Sequence, residues 1–118
     1  YYPLFVTATC EFGRHDDPQQ ISSGEKTLLK KNGGTIGLVT TARPVNASTN
    51  FTLNQAFYNA LFNQPGGVYR DLGAIFRETK NNSQSAVANR NFSLLGDPSM
   101  FLALPRQSIS ITSLQTSS

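Results

Sequence analysis

The stretch Leu4-Phe5-Val6-Thr7-Ala8-Thr9-Cys10-Glu11-Phe12-Gly13-Arg14-His15-Asp16-Asp17-Pro18 changes character at its middle. Leu4 to Thr9 is apolar and rich in β-branched residues, the pattern of a strand covered on both faces. At Cys10, the sole cysteine of the sequence, it gives way to a charged, glycine-containing loop that runs to Gln20. A cysteine at the carboxyl end of a buried strand stands at the rim of a sheet, where loops converge and ligands bind.

Downstream, Ser22-Ser23-Gly24-Glu25 has the spacing of a capping box, with Ser22 as N-cap and Glu25 reaching back. The pattern predicts a helix to about Asn32, with Leu28 and Leu29 inward, Lys26, Lys30 and Lys31 in water, and Gly33 or Gly34 as the left-handed stop. Thr35 to Thr41 reads as a second strand with Ile36, Leu38 and Val39 in the core. Strand, helix and strand joined by short turns form a βαβ unit, so the two strands are expected to be parallel and the crossover right-handed. Ala42-Arg43-Pro44-Val45 then leaves the sheet at the same rim as Cys10.

Asn46 to Asn50 reads as a polar loop. A helix follows to about Asn63, with Leu53, Ala56, Phe57, Ala60 and Leu61 on one face. Pro65-Gly66-Gly67 breaks it. A third helix is expected from Tyr69 to Lys80, with Leu72, Ile75 and Phe76 inward, then a polar loop from Asn81 to Asn91. Phe92 to Leu95 and Met100 to Leu104 read as short strands around a Gly96-Asp97-Pro98-Ser99 turn. Residues 1–105 thus form one domain. Residues 106–118, rich in serine and threonine, read as a linker, with Ile109, Ile111 and Leu114 hinting at an edge strand. The Asn-x-Ser/Thr triplets around Asn46, Asn50, Asn82 and Asn91 read as chance in an asparagine-rich chain.

The 118 residues carry a formal net charge of +3 from ten basic and seven acidic side chains. The basic residues are scattered apart from Lys30-Lys31, which argues against a nucleic-acid partner. One cysteine makes no internal disulfide, and no zinc spacing surrounds it, so neither a metal nor a cofactor is expected. No stretch approaches the ~20 apolar residues of a membrane span. Tyr1-Tyr2-Pro3 lacks the regions of a signal peptide, and an opening so close to a buried strand reads as a fragment.

Cys10 has two readings on pattern alone: a buried packing residue, or a nucleophile whose own backbone N–H helps to bind an oxyanion. His15, the one histidine, is a poor base for it because both lie on one tight loop; it reads as an exposed loop residue beside Asp16 and Asp17. Asp16-Asp17-Pro18 reads as a turn rather than a cation site. Glu11 is either a surface carboxylate or a substrate contact. Arg43 either meets a substrate carboxylate or braces Asp16, Asp17 or Glu11.

Phe5 to Arg14 followed by Asp16-Asp17-Pro18 resembles the catalytic-cysteine segment of the gingipain-like (C25) cysteine peptidases. Within them it is similar to the PorU-type sortases, the C-terminal signal peptidases of the type IX secretion system. Gly34 to Arg43, Asn50-Phe51-Thr52-Leu53-Asn54 and Phe92 to Met100 agree, so the resemblance covers nearly everything up to Pro105. It implies the C-terminal portion of a caspase-like α/β fold, a mostly parallel sheet flanked by helices. Cys10 would be the catalytic nucleophile, with Glu11 and Arg43 near the substrate. The family's histidine lies upstream of the cysteine in a Gly-His-Gly-type segment, so this chain alone is expected to be inactive.

The implied protein removes C-terminal sorting domains from secreted cargo at the outer membrane of a Gram-negative bacterium. It works beside other type IX secretion components and passes the acyl group to an amine on a lipopolysaccharide. A secreted gingipain-like protease acting by hydrolysis only, and a non-catalytic caspase-like binding domain, are the alternatives. A fragment with uncovered sheet edge and core is also expected to self-associate.

Overall fold

The structure is a computed structural model that describes residues 1–83, 87–105 and 110–113. Its centre is strand β2 (Gly37–Thr41), buried at every residue. Strand β1 (Leu4–Val6) pairs with it in parallel, Phe5 opposite Leu38. Strand β3 (Phe92–Gly96) pairs antiparallel on the other side, Val39 opposite Leu94 and Thr41 opposite Phe92. The order is β1-β2-β3, so the described sheet is mixed. The α/β expectation and the parallel βαβ unit hold.

Alternation along β2 assigns its residues to two faces. Val39 joins Leu53, Phe57, Ala60, Leu61, Leu72, Ile75 and Phe92 in the core. The helices that supply this core are α2 (Ala47–Phe62) and α3 (Leu72–Asn82). Every inward residue expected of the middle helix is buried. Thr40, fully buried, packs instead against the Gly13 turn, and the Gly24 N–H of helix α1 (Ser23–Leu28) donates to the Phe12 carbonyl at 2.7 Å. Helical structure therefore flanks the sheet on both sides.

The capping box forms as read. Ser22 Oγ accepts from the Glu25 N–H, and the Glu25 carboxylate accepts from the Ser22 N–H at 2.8 Å. The helix then stops early, with Leu29 as its cap and 75% exposed, where Leu29 was expected to be inward. The chain turns left-handed at Asn32, φ 58°, and at Gly34, φ 87°, which lies so close to α1 that a Cβ there would stand 2.0 Å from the Thr27 carbonyl oxygen.

Four further expectations change. Strand β1 is three residues, not six, Phe5 is exposed, and among the described residues β1 pairs with β2 alone. Helix α2 starts at Ala47, not after Asn50, because Asn46 is its N-cap and accepts from the Thr49 N–H at 2.8 Å. Asn50 is buried inside that helix, so two of the Asn-x-Ser/Thr triplets do structural work. Helix α3 begins at Leu72 under the cap of Asp71 rather than at Tyr69. The segment expected as loop from Asn81 to Asn91 contains the end of α3 and one helical turn, α4 (Val87–Arg90).

Met100 to Leu104 is not a strand and keeps a single antiparallel bridge, Phe101 to Asp71. The Met100 carbonyl and that of Pro98, just before the segment, cap a helix. The Leu72 and Gly73 N–H groups, orphans at the start of α3, donate to the carbonyls of Met100 at 2.8 Å and Pro98 at 2.7 Å. The turn between them is held as read, by Asp97 accepting from the Ser99 N–H at 2.9 Å. Of the tail residues expected at an edge strand, Ile111 is exposed and outside any strand, whereas Ile109 and Leu114 lie outside the described residues.

Two cations tie the helices together. Arg70 pairs with Glu78 of α3 and donates to the carbonyls of Ala60 and Asn63 at the end of α2, the latter at 2.9 Å. Lys80 donates to the carbonyls of Asn89 and of Phe92, the latter at 2.8 Å, and lies 5.5 Å from the centre of the Phe76 ring. Burial holds its pKa below the usual lysine value.

Candidate active site

The carboxyl ends of β1 and β2 point the same way, and the two loops that leave them meet. Past Val6, the Thr7 N–H still donates to the Val39 carbonyl at 2.9 Å, and its hydroxyl donates to Thr40 Oγ1 at 2.8 Å. The chain then turns at Cys10, Glu11, Phe12 and Gly13. Cys10 is exposed. Exposure removes the reading of a buried packing residue.

The thiol donates to the Val45 carbonyl at 3.1 Å. Val45 immediately precedes Asn46, the N-cap of α2. A thiolate has no proton for that carbonyl, so this contact belongs to the thiol form. The Cys10 N–H has no acceptor among the described residues. It is free to meet an oxygen brought by a ligand.

Thr41, the last residue of β2, brackets this cysteine. Its side chain is fully buried. Its hydroxyl donates to the Thr9 carbonyl at 2.9 Å and accepts from the Glu11 N–H at 3.0 Å. Its own carbonyl accepts from the Gly13 N–H at 3.0 Å. Glu11 is held at φ 57°, a left-handed conformation that few non-glycine residues adopt.

Arg43 takes the bracing role. It forms an ion pair with Asp16 at 2.5 Å, and its Nη1 also donates to the Ala42 carbonyl at 3.0 Å. Both partners are half exposed, so the pair joins two loops without adding much stability. The Arg43 hydrogen bond keeps the Asp16 carboxyl below its usual pKa. The Glu11 carboxylate lies 3.3 Å from Arg14, whose Nε is 3.4 Å from Asp17 without the alignment of a hydrogen bond. Asp17 accepts from the Gln19 N–H at 2.9 Å, which makes Asp16-Asp17-Pro18 a turn, as expected.

His15 is exposed, and its Nδ1–H donates to the Gly13 carbonyl at 2.8 Å. No hydrogen bond joins it to Cys10 among the described residues. No cluster of three or more metal-ligating side chains exists among those residues either.

The family profile of peptidase family C25 matches residues 1–103. The chain belongs to peptidase family C25. That membership brings a cysteine-peptidase type of function. No curated protein and no solved structure matches the chain. Sequence reasoning missed Thr41 as a contact of the Cys10 loop. Its signal was faint: a hydroxyl at the end of a buried strand demands a hydrogen-bond partner.

Proposed function

We propose that the chain is the nucleophile-bearing part of a sortase-like C25 peptidase that removes C-terminal secretion signals from cargo at the outer membrane. Residues 1–105 are the C-terminal part of its caspase-like domain, and residues 106–118 lead toward a following domain. The observation that carries the reading is Cys10 itself: an exposed thiol beside its own unpaired N–H, in a C25 chain. The sortase assignment rests on the resemblance of residues 5–18 to that subfamily.

Cys10 Sγ attacks the scissile carbonyl, and its N–H receives the oxyanion. The peptide bond breaks, the signal domain leaves as the amine, and a thioester to Cys10 remains. An amine on a lipopolysaccharide then attacks the thioester and releases the thiol; water in its place gives hydrolysis. The resemblance sets Glu11 and Arg43 near the substrate, Arg43 while it is paired with Asp16. The base is a histidine from another segment of the protein, since His15 turns its Nδ1 to its own loop. No described helix is long and apolar enough to cross a membrane.

The test uses full-length protein with a cargo carrying its C-terminal sorting domain, and mass spectrometry of the new cargo terminus. An amine conjugate that disappears with Cys10→Ala supports the proposal. A free acid in its place identifies a hydrolytic protease. Cleavage that persists in Cys10→Ala overturns the assignment of the nucleophile. Taken alone, the chain is expected to be inactive and to self-associate through exposed apolar residues such as Tyr2, Phe5 and Phe101; a monomer by light scattering at high concentration counts against the second expectation.

A further inference from the structure

The geometry points to Thr41 as the positioning residue of the site: its hydroxyl clamps the backbone on both sides of Cys10 and so aims the Cys10 N–H at the oxyanion. The inference rests on the reading of Cys10 as the nucleophile. Three observations carry it. The hydroxyl is fully buried and uses its donor on Thr9 and an acceptor on Glu11, the two residues that flank the cysteine. The Glu11 N–H is thereby spent, which leaves the Cys10 N–H as the unpaired donor between the two clamped positions. Finally, Glu11 sits at φ 57°, a conformation that an L-residue keeps only when its surroundings impose it.

The chemical consequence is specific. An oxyanion donor works by being fixed before charge develops, so loosening the turn weakens acyl transfer. Alkylation of the same sulfur builds no oxyanion and does not use the N–H. The two reactions therefore separate the aim of the N–H from simple exposure or ionisation of the thiol, which would move both together.

The experiment compares two second-order rates at Cys10 in full-length protein. In the first, p-nitrophenyl acetate acylates the thiolate: the S–C bond forms, the ester C–O bond breaks and p-nitrophenolate leaves. In the second, iodoacetamide alkylates it: the S–C bond forms and iodide leaves. Thr41→Val, which removes the hydroxyl at nearly constant shape, is expected to lower the ratio of acylation to alkylation by about tenfold. Thr41→Ser, which keeps the hydroxyl, is expected to restore it to within about twofold. An unchanged ratio in Thr41→Val, or a ratio in Thr41→Ser as low as in Thr41→Val, overturns the inference.

Should Thr41→Val fail to fold, amide hydrogen exchange in the unsubstituted protein decides. Protection at the Glu11 amide supports the clamp, and exchange at the rate of an open loop overturns it. Peptide-bond cleavage that survives Cys10→Ala would overturn the nucleophile assignment while leaving the acylation ratio as measured, so the two failures are distinct.

Discussion

A Cβ on Gly13 would stand 2.0 Å from Cγ2 of Thr40 and 2.8 Å from its Oγ1. The turn that carries Cys10 thus lies directly on β2, and only a residue without a side chain fits there. Gly13→Ala is expected to destabilise the protein by about 1–3 kcal/mol, the cost of overpacking a close contact. Trimming the neighbour with Thr40→Ala in the same chain should recover part of the loss, because it removes the two nearest atoms. Urea midpoints of the single and double variants measure this. A Gly13→Ala midpoint equal to that of the unsubstituted protein would show that the turn does not rest on β2.

Ser22→Ala removes one half of the capping box and is expected to cost about 1 kcal/mol. The same pair makes folding acid-sensitive. Hydrogen bonds from Ser22 hold the Glu25 carboxyl below its ordinary 4.5. A carboxyl with a lowered folded pKa binds fewer protons folded than unfolded, so its contribution is complete above 4.5 and disappears as pH falls through the lowered value. Asp16, lowered chiefly by Arg43, and Asp97, lowered chiefly by Ser99, act in the same direction. Thermal melts between neutral pH and pH 3 should show a shallower acid loss in Ser22→Ala than in the unsubstituted protein. Parallel curves would refute the link to Glu25.

Arg70 should not tolerate lysine. Its guanidinium reaches Glu78 and two carbonyls at the end of α2 at once, a fork that a point charge cannot copy. Arg70→Lys and Arg70→Ala are both expected to lose about 1 kcal/mol, since the acceptors left behind are part-buried or exposed. Full stability in Arg70→Lys, measured by urea unfolding, would show that charge alone suffices.

Phe57 is fully buried at the centre of the α2–α3–sheet core and meets Tyr58 edge-on at 5.7 Å. Phe57→Ala is expected to cost about 3–5 kcal/mol from lost burial and the cavity left behind. A loss below about 1 kcal/mol would mean that the core collapses into the space, contrary to close packing.

The elements that were legible were those with a local cause. Helix α2 announced its buried face at Leu53, Ala56, Phe57, Ala60 and Leu61 because helical geometry repeats every 3.6 residues. The capping box at Ser22 and Glu25 involves residues three apart and needs no tertiary partner. The start of α2 at Asn46 was written just as locally, but three polar residues in a row imitate a loop. Met100 to Leu104 has strand composition and still is not a strand: it pairs at the single bridge of Phe101 with Asp71, and its Leu104 N–H turns back to the Leu102 carbonyl. Composition carries no record of which distant donor will claim a carbonyl.

The same division runs through the site. By itself the sequence determined that a single cysteine follows a strand, that a βαβ unit brings the Arg43 loop to its rim, and, through motif resemblance, that the chain is of the C25 kind. Only the tertiary structure decided that Cys10 is exposed, that its thiol rests on Val45, that Arg43 faces Asp16, and that Thr41 grips both neighbours of the cysteine. The physical reason is range. Periodicity and capping act within a few residues, whereas these contacts join positions about thirty apart, and the direction of a hydroxyl or a guanidinium is chosen by whichever partner the packed sheet places beside it.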